Sequence, residues 1–278
     1  MNTGLSAPRP RADQPMAHNM KLISHNELQG FGGMGEGIAM QLADDGRRIL
    51  WMAHESAPKN FTGVDVSDPR NPRVIVQTEL PHMKMRSNSL DVVGNLMVVA
   101  NQVKELGAKP AGFNVYDISK PEQPRLLSHF DCSGPYSRGV HAVWFVDGKT
   151  VHMASGAPDF QPRNPKDDQI YRIVDISDPT RPRETGRWWY PGTREGDEAP
   201  PPQRLPAKFD TGFRAHNTNV FPERPDRAYV GYIDGGAIVL DIADPSNIKV
   251  VSHWNHSHNS PSRTRFAVDR MPPPRLAK

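Results

Sequence analysis

Few residues in this chain could do chemistry, and none of them stands in a local motif. Glu36, Asn88, His141 and His216 each enter a run that reads as a strand. His54 with Glu55, Asn101, Asp159 and Asp234 lie where second strands end, and His82, His256 and His258 fall between larger units. Imidazoles and a carboxylate that converge would suit Zn or another borderline divalent metal. No His-x-x-x-His pair sits on one element, so such a centre has to be assembled by the fold. The expected ligand-binding set is Glu36, Asn88, His141, His216 and Asp234, and the expected metal set is His54, His141 and His216. The plainer expectation for the same residues is a hydrated polar surface.

Other chemistries find no support. There is no nucleophile elbow, P-loop, cysteine pair or zincin motif. The single cysteine, Cys132, excludes an intramolecular disulfide and reads as a small structural residue in a loop. The run Gly30-Phe31-Gly32-Gly33-Met34-Gly35 fits G-x-G-x-x-G, with Glu55 where a dinucleotide fingerprint asks for an acid. However, His25 to Gln29 is too polar for a buried parallel strand, and only Glu36 to Ala43 remain for a helix before Asp44-Asp45-Gly46. A glycine loop leading into the first sheet is expected instead. The cluster from His253 to His258 looks like a ligand set, but His253 repeats the position of His25 and His129, which places it on an outer surface.

The elements that must position these residues come from a repeat. Gly63-Val64-Asp65-Val66-Ser67-Asp68-Pro69 returns as Asn114-Val115-Tyr116-Asp117-Ile118-Ser119-Lys120-Pro121, as Ile173-Val174-Asp175-Ile176-Ser177-Asp178-Pro179, and as Val239-Leu240-Asp241-Ile242-Ala243-Asp244-Pro245. The β-branched run favours a strand, and the proline fixes φ and removes a donor, so the chain turns before the next apolar run. The central aspartates are 52, 58 and 66 residues apart, a period that indicates propellers or solenoids. A second hairpin precedes each copy, turning at Asp44-Asp45-Gly46, Gly94-Asn95, Asp147-Gly148 and near Pro225-Asp226. Two hairpins per repeat make a four-stranded antiparallel unit, which is one propeller blade. The fold expectation is therefore all-β, with blades at about 36–80, 87–130, 139–190 and 214–254.

The motif Val-x-Asp-(Ile/Val)-Ser-Asp-Pro-x-x-Pro-(Arg/Lys) resembles that of the LVIVD-repeat β-propeller proteins, over roughly residues 18 to 257. The resemblance implies the fold and carries over no catalytic residue. Met20 to His25 repeats the outermost strand, as at Pro124 to His129 and Ile248 to His253, so the chain opens on a last strand without its first three. Residues 1–17 are expected as a disordered leader, and 258–278 as an irregular Pro/Arg-rich tail too short to supply those strands. An incomplete ring, open to self-association along its exposed edges, follows as an expectation, with a four-bladed ring closed differently as the alternative.

Hairpin turns share one face of such a disk, so the long links, from His54, Asn101, Gly156 and Pro191, share the other, where binding usually lives. There Glu36, Asn88, His141 and His216 would ring the channel mouth. The mixed-sign loops at 159–168 and 192–198 are expected as solvated surface, with a lid over the mouth as the alternative. A net charge of +3 without a Lys/Arg run excludes a nucleic-acid groove. No apolar segment is long enough to span a membrane, and the lone cysteine fits a reducing compartment, so a cytoplasmic protein is expected. The leading functional expectation is a binding or scaffold module that takes a small molecule or protein at the channel mouth. The alternative is a metal-dependent enzyme, hydrolytic or redox, at the same place.

Overall fold

The computed structural model of the chain describes residues 19–31, 34–204 and 210–255. Its strands form four antiparallel sheets in chain order. The first contains β1 (Ile38–Leu42), β2 (Arg48–Ala53), β3 (Lys59–Asp65) and β4 (Arg73–Glu79). The second contains β5 (Met85–Arg86), β6 (Leu90–Val93), β7 (Leu96–Val103), β8 (Gly112–Asp117) and β9 (Arg125–Asp131). The third contains β10 (Val140–Phe145), β11 (Thr150–Ser155), β12 (Ile170–Asp175) and β13 (Arg183–Trp188), and the fourth β14 (Ala215–Asn219), β15 (Arg227–Tyr232), β16 (Gly236–Asp241) and β17 (Lys249–Trp254). Each sheet is a propeller blade with its innermost strand first. β5 and β6 are one inner strand broken at residues 87–89, since both pair with β7.

The repeat makes the same local structure four times. Asp65, Asp117, Asp175 and Asp241 each accept the backbone N–H two residues on, at 2.8 to 3.1 Å, which closes the turn to the outermost strand. Each outermost strand then carries a bulge at the same register, so that Ile75, Leu127, Thr185 and Val251 are the extra residues. Ser67-Asp68-Pro69 and its copies are thus turn chemistry.

Apolar side chains between consecutive blades form the core. Trp51 and Phe61 of the first blade pack with Met97 and Val99 of the second. Phe113 and Val115 pack with Phe145 and Met153 of the third, and Tyr171 and Ile173 with Val230 and Leu240 of the fourth. Burying each of these side chains contributes about 1.5–3 kcal/mol. Strands covered on both faces lose the alternation of a one-sided sheet. β11 is buried at five of six positions, whereas β17, outermost in the last blade, is exposed throughout.

Among the described residues no apolar cluster joins the first blade to the fourth. Ile38, Met40 and Leu42 on β1 and Val250, Val251 and Trp254 on β17 are exposed. Among the described residues the first and fourth blades thus share no apolar seam, an arrangement compatible with an incomplete ring. Residues 20–27 form no sheet pairing, yet the segment sits where a preceding blade would. Ser24 Oγ donates to Pro69 O at 2.7 Å, just as Ser128 Oγ on β9 donates to Pro179 O of the next blade at 2.6 Å. The dinucleotide reading fails outright: Glu36 runs into β1 rather than a helix, and Gly32 and Gly33 lie outside the described residues. The expected leader at 1–17 and tail at 258–278, with His256 and His258, also lie outside them. No helix among the described residues is long and apolar enough to cross a membrane.

Candidate metal centre

His141 and His216 occupy the same place in the third and fourth blades, and a bulge puts each there. The pairing of β10 with β11 skips from Val140 to Ala142, and that of β14 with β15 from Ala215 to Asn217, so each histidine is the unpaired extra residue. A bulge re-aims its side chain, here toward the shared axis. The break at 87–89, around Asn88, holds the corresponding place in the second blade. In the first blade Glu36 sits between two glycines that let the backbone press against residues 88–90. A Cβ on Gly35 would lie 2.6 Å from Asn88 O, and one on Gly37 would lie 2.1 Å from Leu90 N. The N–H groups of Glu36 and Gly37 both donate to Asn88 O, which fixes the position of Glu36. The inner edge of β10 is satisfied similarly, with Val143 N donating to Ser89 Oγ and Phe145 N to Asp91 Oδ2.

The result is a convergence of three side chains from three blades. His141 Nε2 and His216 Nε2 face each other at 3.0 Å, and Glu36 Oε2 is 3.9 Å from His141 Nε2. One ligand atom from each of the three lies within 4.8 Å of the others. Both histidines are buried, while Glu36 is exposed at the rim.

The proton positions on His141 follow from its neighbours. Arg86 Nε donates to Gln102 Oε1 at 2.8 Å, which fixes that atom as the amide oxygen. The same oxygen is 3.2 Å from His141 Nδ1, so Nδ1 carries the proton and Nε2 is a bare lone pair. Arg86 Nη2, which can only donate, lies 3.4 Å from that nitrogen and makes no hydrogen bond to it in this tautomer. His216 Nδ1 meets Asn217 Oδ1 in the same manner. Burial, followed by the charges of His216, Arg86, Arg214 and Arg138, pushes the His141 pKa well below the usual imidazole value and keeps the ring neutral.

Two cavities flank the pair. On the channel side a space of about 500 Å³ is lined by Glu36, Ser89, Asp91, Trp144, Thr218 and Asn219, among others. On the link side a space of about 280 Å³ is lined by Arg86, Gln102, Arg138, Gln169, Asp210 and Arg214 together with both histidines.

The remaining candidates lie elsewhere. His54, expected among the metal ligands, is fully buried at the end of β2, with Nε2 2.7 Å from Thr62 Oγ1 and its ring edge-on to Phe31. Asp234 clips a loop, its Oδ2 accepting from Gly212 N at 2.6 Å. The Asn88 side chain is buried beside the trio, and neither of its polar atoms has a hydrogen-bond partner among the described residues. Solvated surface was expected of the 159–168 loop, yet Asp167 and Asp168 at its end are buried. Asp168 holds Arg138 through two bonds of 2.7 and 2.9 Å, and Asp167 pairs with Arg204 and accepts from Phe213 N, which ties down the long link after β13.

The sequence reading missed the arginines. Arg86, Arg138 and Arg214 each stand two or three residues before Asn88, His141 and His216, a second column that aligning the blades on those three residues exposes. Cys132, just past the end of β9, is buried, its Sγ 3.1 Å from Arg172 Nη1, and burial pushes its thiol pKa up. It is a packing residue.

The LVIVD repeat family model matches residues 168–189 and 226–255. These are β12–β13 and β15–β17, the segments that carry the aspartate turns of the third and fourth blades. The chain carries LVIVD repeats in its third and fourth blades, on a β-propeller fold. No curated protein sequence matches this LVIVD-repeat chain. Among solved structures it is similar to the periplasmic gluconolactonase PpgL of Pseudomonas aeruginosa, with a TM-score of 0.50 and 12% identity. That match covers 80% of this chain and 58% of the gluconolactonase, so the LVIVD-repeat chain spans little more than half of that protein's length. It is also similar to the computationally designed Ika4 protein, with a TM-score of 0.40 and 14% identity over 84% of this chain and 99% of that one. At 12% identity the likeness to the gluconolactonase concerns the fold alone.

Proposed function

We propose that the chain binds a divalent transition metal through His141 Nε2, His216 Nε2 and Glu36, and acts through that centre on a small molecule at the channel mouth. The observation that carries this reading is the pair of facing Nε2 atoms. With the Nδ1 proton of His141 committed to Gln102, two lone pairs 3.0 Å apart repel unless a cation lies between them. Two donors each about 2.1 Å from one zinc stand about 3.0 Å apart at a right-angled bite and about 3.4 Å apart at the tetrahedral one. The observed 3.0 and 3.9 Å separations bracket those values. Metal-bound histidines characteristically give their other ring N–H to a carbonyl or carboxylate, the part Gln102 and Asn217 play here. Two histidines and one carboxylate leave coordination positions open, the arrangement of catalytic rather than structural sites, where the ion supplies Lewis acidity and an activated water.

A second reading is favoured by the exposure of Glu36. In it the imidazoles share one proton as an Nε2–H···Nε2 bond with His216 in the other tautomer, and the mouth belongs to a binding or scaffold module without metal. Metal analysis of protein purified without an affinity tag separates the two. About one equivalent of Zn or a similar ion is expected, lost in His141→Ala and His216→Ala variants that keep their circular dichroism. Protein that retains no ion after loading with Zn, Co, Mn, Fe or Cu would eliminate the metal reading.

A further inference from the structure

Resting on that metal reading, we infer that the link-side cavity takes a small hydroxy acid, with its carboxylate against the arginines and its hydroxyl beside Gln169. Three guanidinium groups, from Arg86, Arg138 and Arg214, line one cavity of about 280 Å³ against a single lining carboxylate, Asp210. Their charges converge on His141, one wall of that cavity. Each is held by an acceptor: Arg138 by the fully buried Asp168, Arg86 by Glu55, and Arg214 by Asp210, itself in the lining, and the Thr211 carbonyl. Such bracing fixes the direction of the guanidinium groups without using all of their donors. Among the described residues Arg138 Nη1 has no hydrogen-bond partner. A planar fork with free donors matches a carboxylate bidentately.

The centre asks for the same charge. A divalent cation held by two neutral imidazoles and one carboxylate keeps a net charge of +1, so an anion is favoured at its open positions. Gln169 adds the second requirement. It is 2% exposed, it lines the cavity, and its Oε1 has no hydrogen-bond partner among the described residues. An unpaired buried acceptor costs about 1–3 kcal/mol, and a ligand hydroxyl would satisfy it. The volume lies at the lower edge of the range typical of drug-sized ligands, which suits a small acid.

Lactate, propionate and lactamide separate these demands, since propionate lacks the hydroxyl and lactamide the charge. Each is titrated into cobalt-loaded protein, read by the visible spectrum of the ion, and into metal-free protein, read by calorimetry. Lactate is expected to bind in both arms, more weakly without metal, about tenfold tighter than propionate and with no measurable binding of lactamide. Arg214→Gln is expected to weaken lactate about tenfold with the metal content unchanged. Arg138→Lys keeps a cation for the buried Asp168 while removing the fork, and is expected to weaken it similarly. Lactate affinity unchanged in both variants, or phosphate binding in place of lactate, would overturn the inference. If the protein holds no metal, the proposed function falls while the metal-free arm still decides: lactate binding that depends on Arg214 sustains the cavity's specificity, and its absence refutes it.

Discussion

Arg172 is a cation 2% exposed to solvent, enclosed between the second and third blades. Its Nη2 is 2.5 Å from Glu184 Oε2, its Nη1 donates to Gly156 O at 2.7 Å, and its guanidinium lies 5.2 Å from the centre of the Phe130 ring. A buried ion pair contributes little net stability, but removing one partner strands the other. Glu184→Ala is therefore expected to cost about 3 kcal/mol, measured by urea unfolding, whereas Glu184→Gln, which keeps an acceptor, costs less. Equal losses in the two variants would show that the charge, and not the retained acceptor, carries the whole effect. The same residue-level logic separates the trio from His54. That imidazole is as buried as His141, but its Nε2 is spent on Thr62, while the Nε2 atoms of His141 and His216 point only at each other and toward Glu36.

At the scale of the element, the repeated aspartate holds each outer hairpin together. The Ser119 amide and hydroxyl, then the Arg125 guanidinium, hold the Asp117 carboxyl down to about 2. Because the folded value lies below the unfolded one near 3.9, the stabilisation is complete above about pH 4 and is lost as the pH falls toward about 2. Asp117→Ala is expected to lower stability at neutral pH by about 1 kcal/mol, a difference that shrinks through that acid window. Asp117→Asn keeps the turn bond to the Ser119 N–H and loses only the ion pair at a partly exposed site, a smaller effect. Denaturant melts at several pH values check both, and a wild-type-to-alanine difference independent of pH would contradict the account. The turns and hairpins were legible because this chemistry is local. The fourth blade was the exception: its inner strand, Ala215–Asn219, is so polar that the hairpin reads as starting at Asn219, where the strand in fact ends.

At the scale of the molecule, stability depends on how each outer strand meets the next blade. Gly186 on β13 faces the Pro245 turn so closely that a Cβ there would lie 2.2 Å from Pro245 O. Ser128 stands at the same register on β9, and Ser252 on β17, which no following blade covers among the described residues. Gly186→Val is expected to push the third and fourth blades apart and lower Tm by about 5 °C or more. Ser252→Val at the equivalent uncovered position is expected to change stability by less than about 0.5 kcal/mol. Thermal melts of the pair test whether docking between blades or intrinsic strand preference governs this position. Exposed apolar side chains mark the first and fourth blades among the described residues, with Ile38, Met40 and Leu42 on β1 and Val250, Val251 and Trp254 on β17.

The amino-acid order by itself determined the blades, because strand preference, proline's fixed φ and the aspartate turn act over a few residues and recur four times. It also put Glu36, Asn88, His141 and His216 in one column, since equivalent positions in a repeat face one axis. Only the tertiary structure decided which of these meet. The 3.0 Å approach of His141 to His216 spans 75 residues and depends on two bulges and on a glycine-flanked Glu36 pressed against the second blade. Contacts across a channel are settled by displacements of about an ångström, which arise from the packing of one blade on the next and leave no periodic trace along the chain.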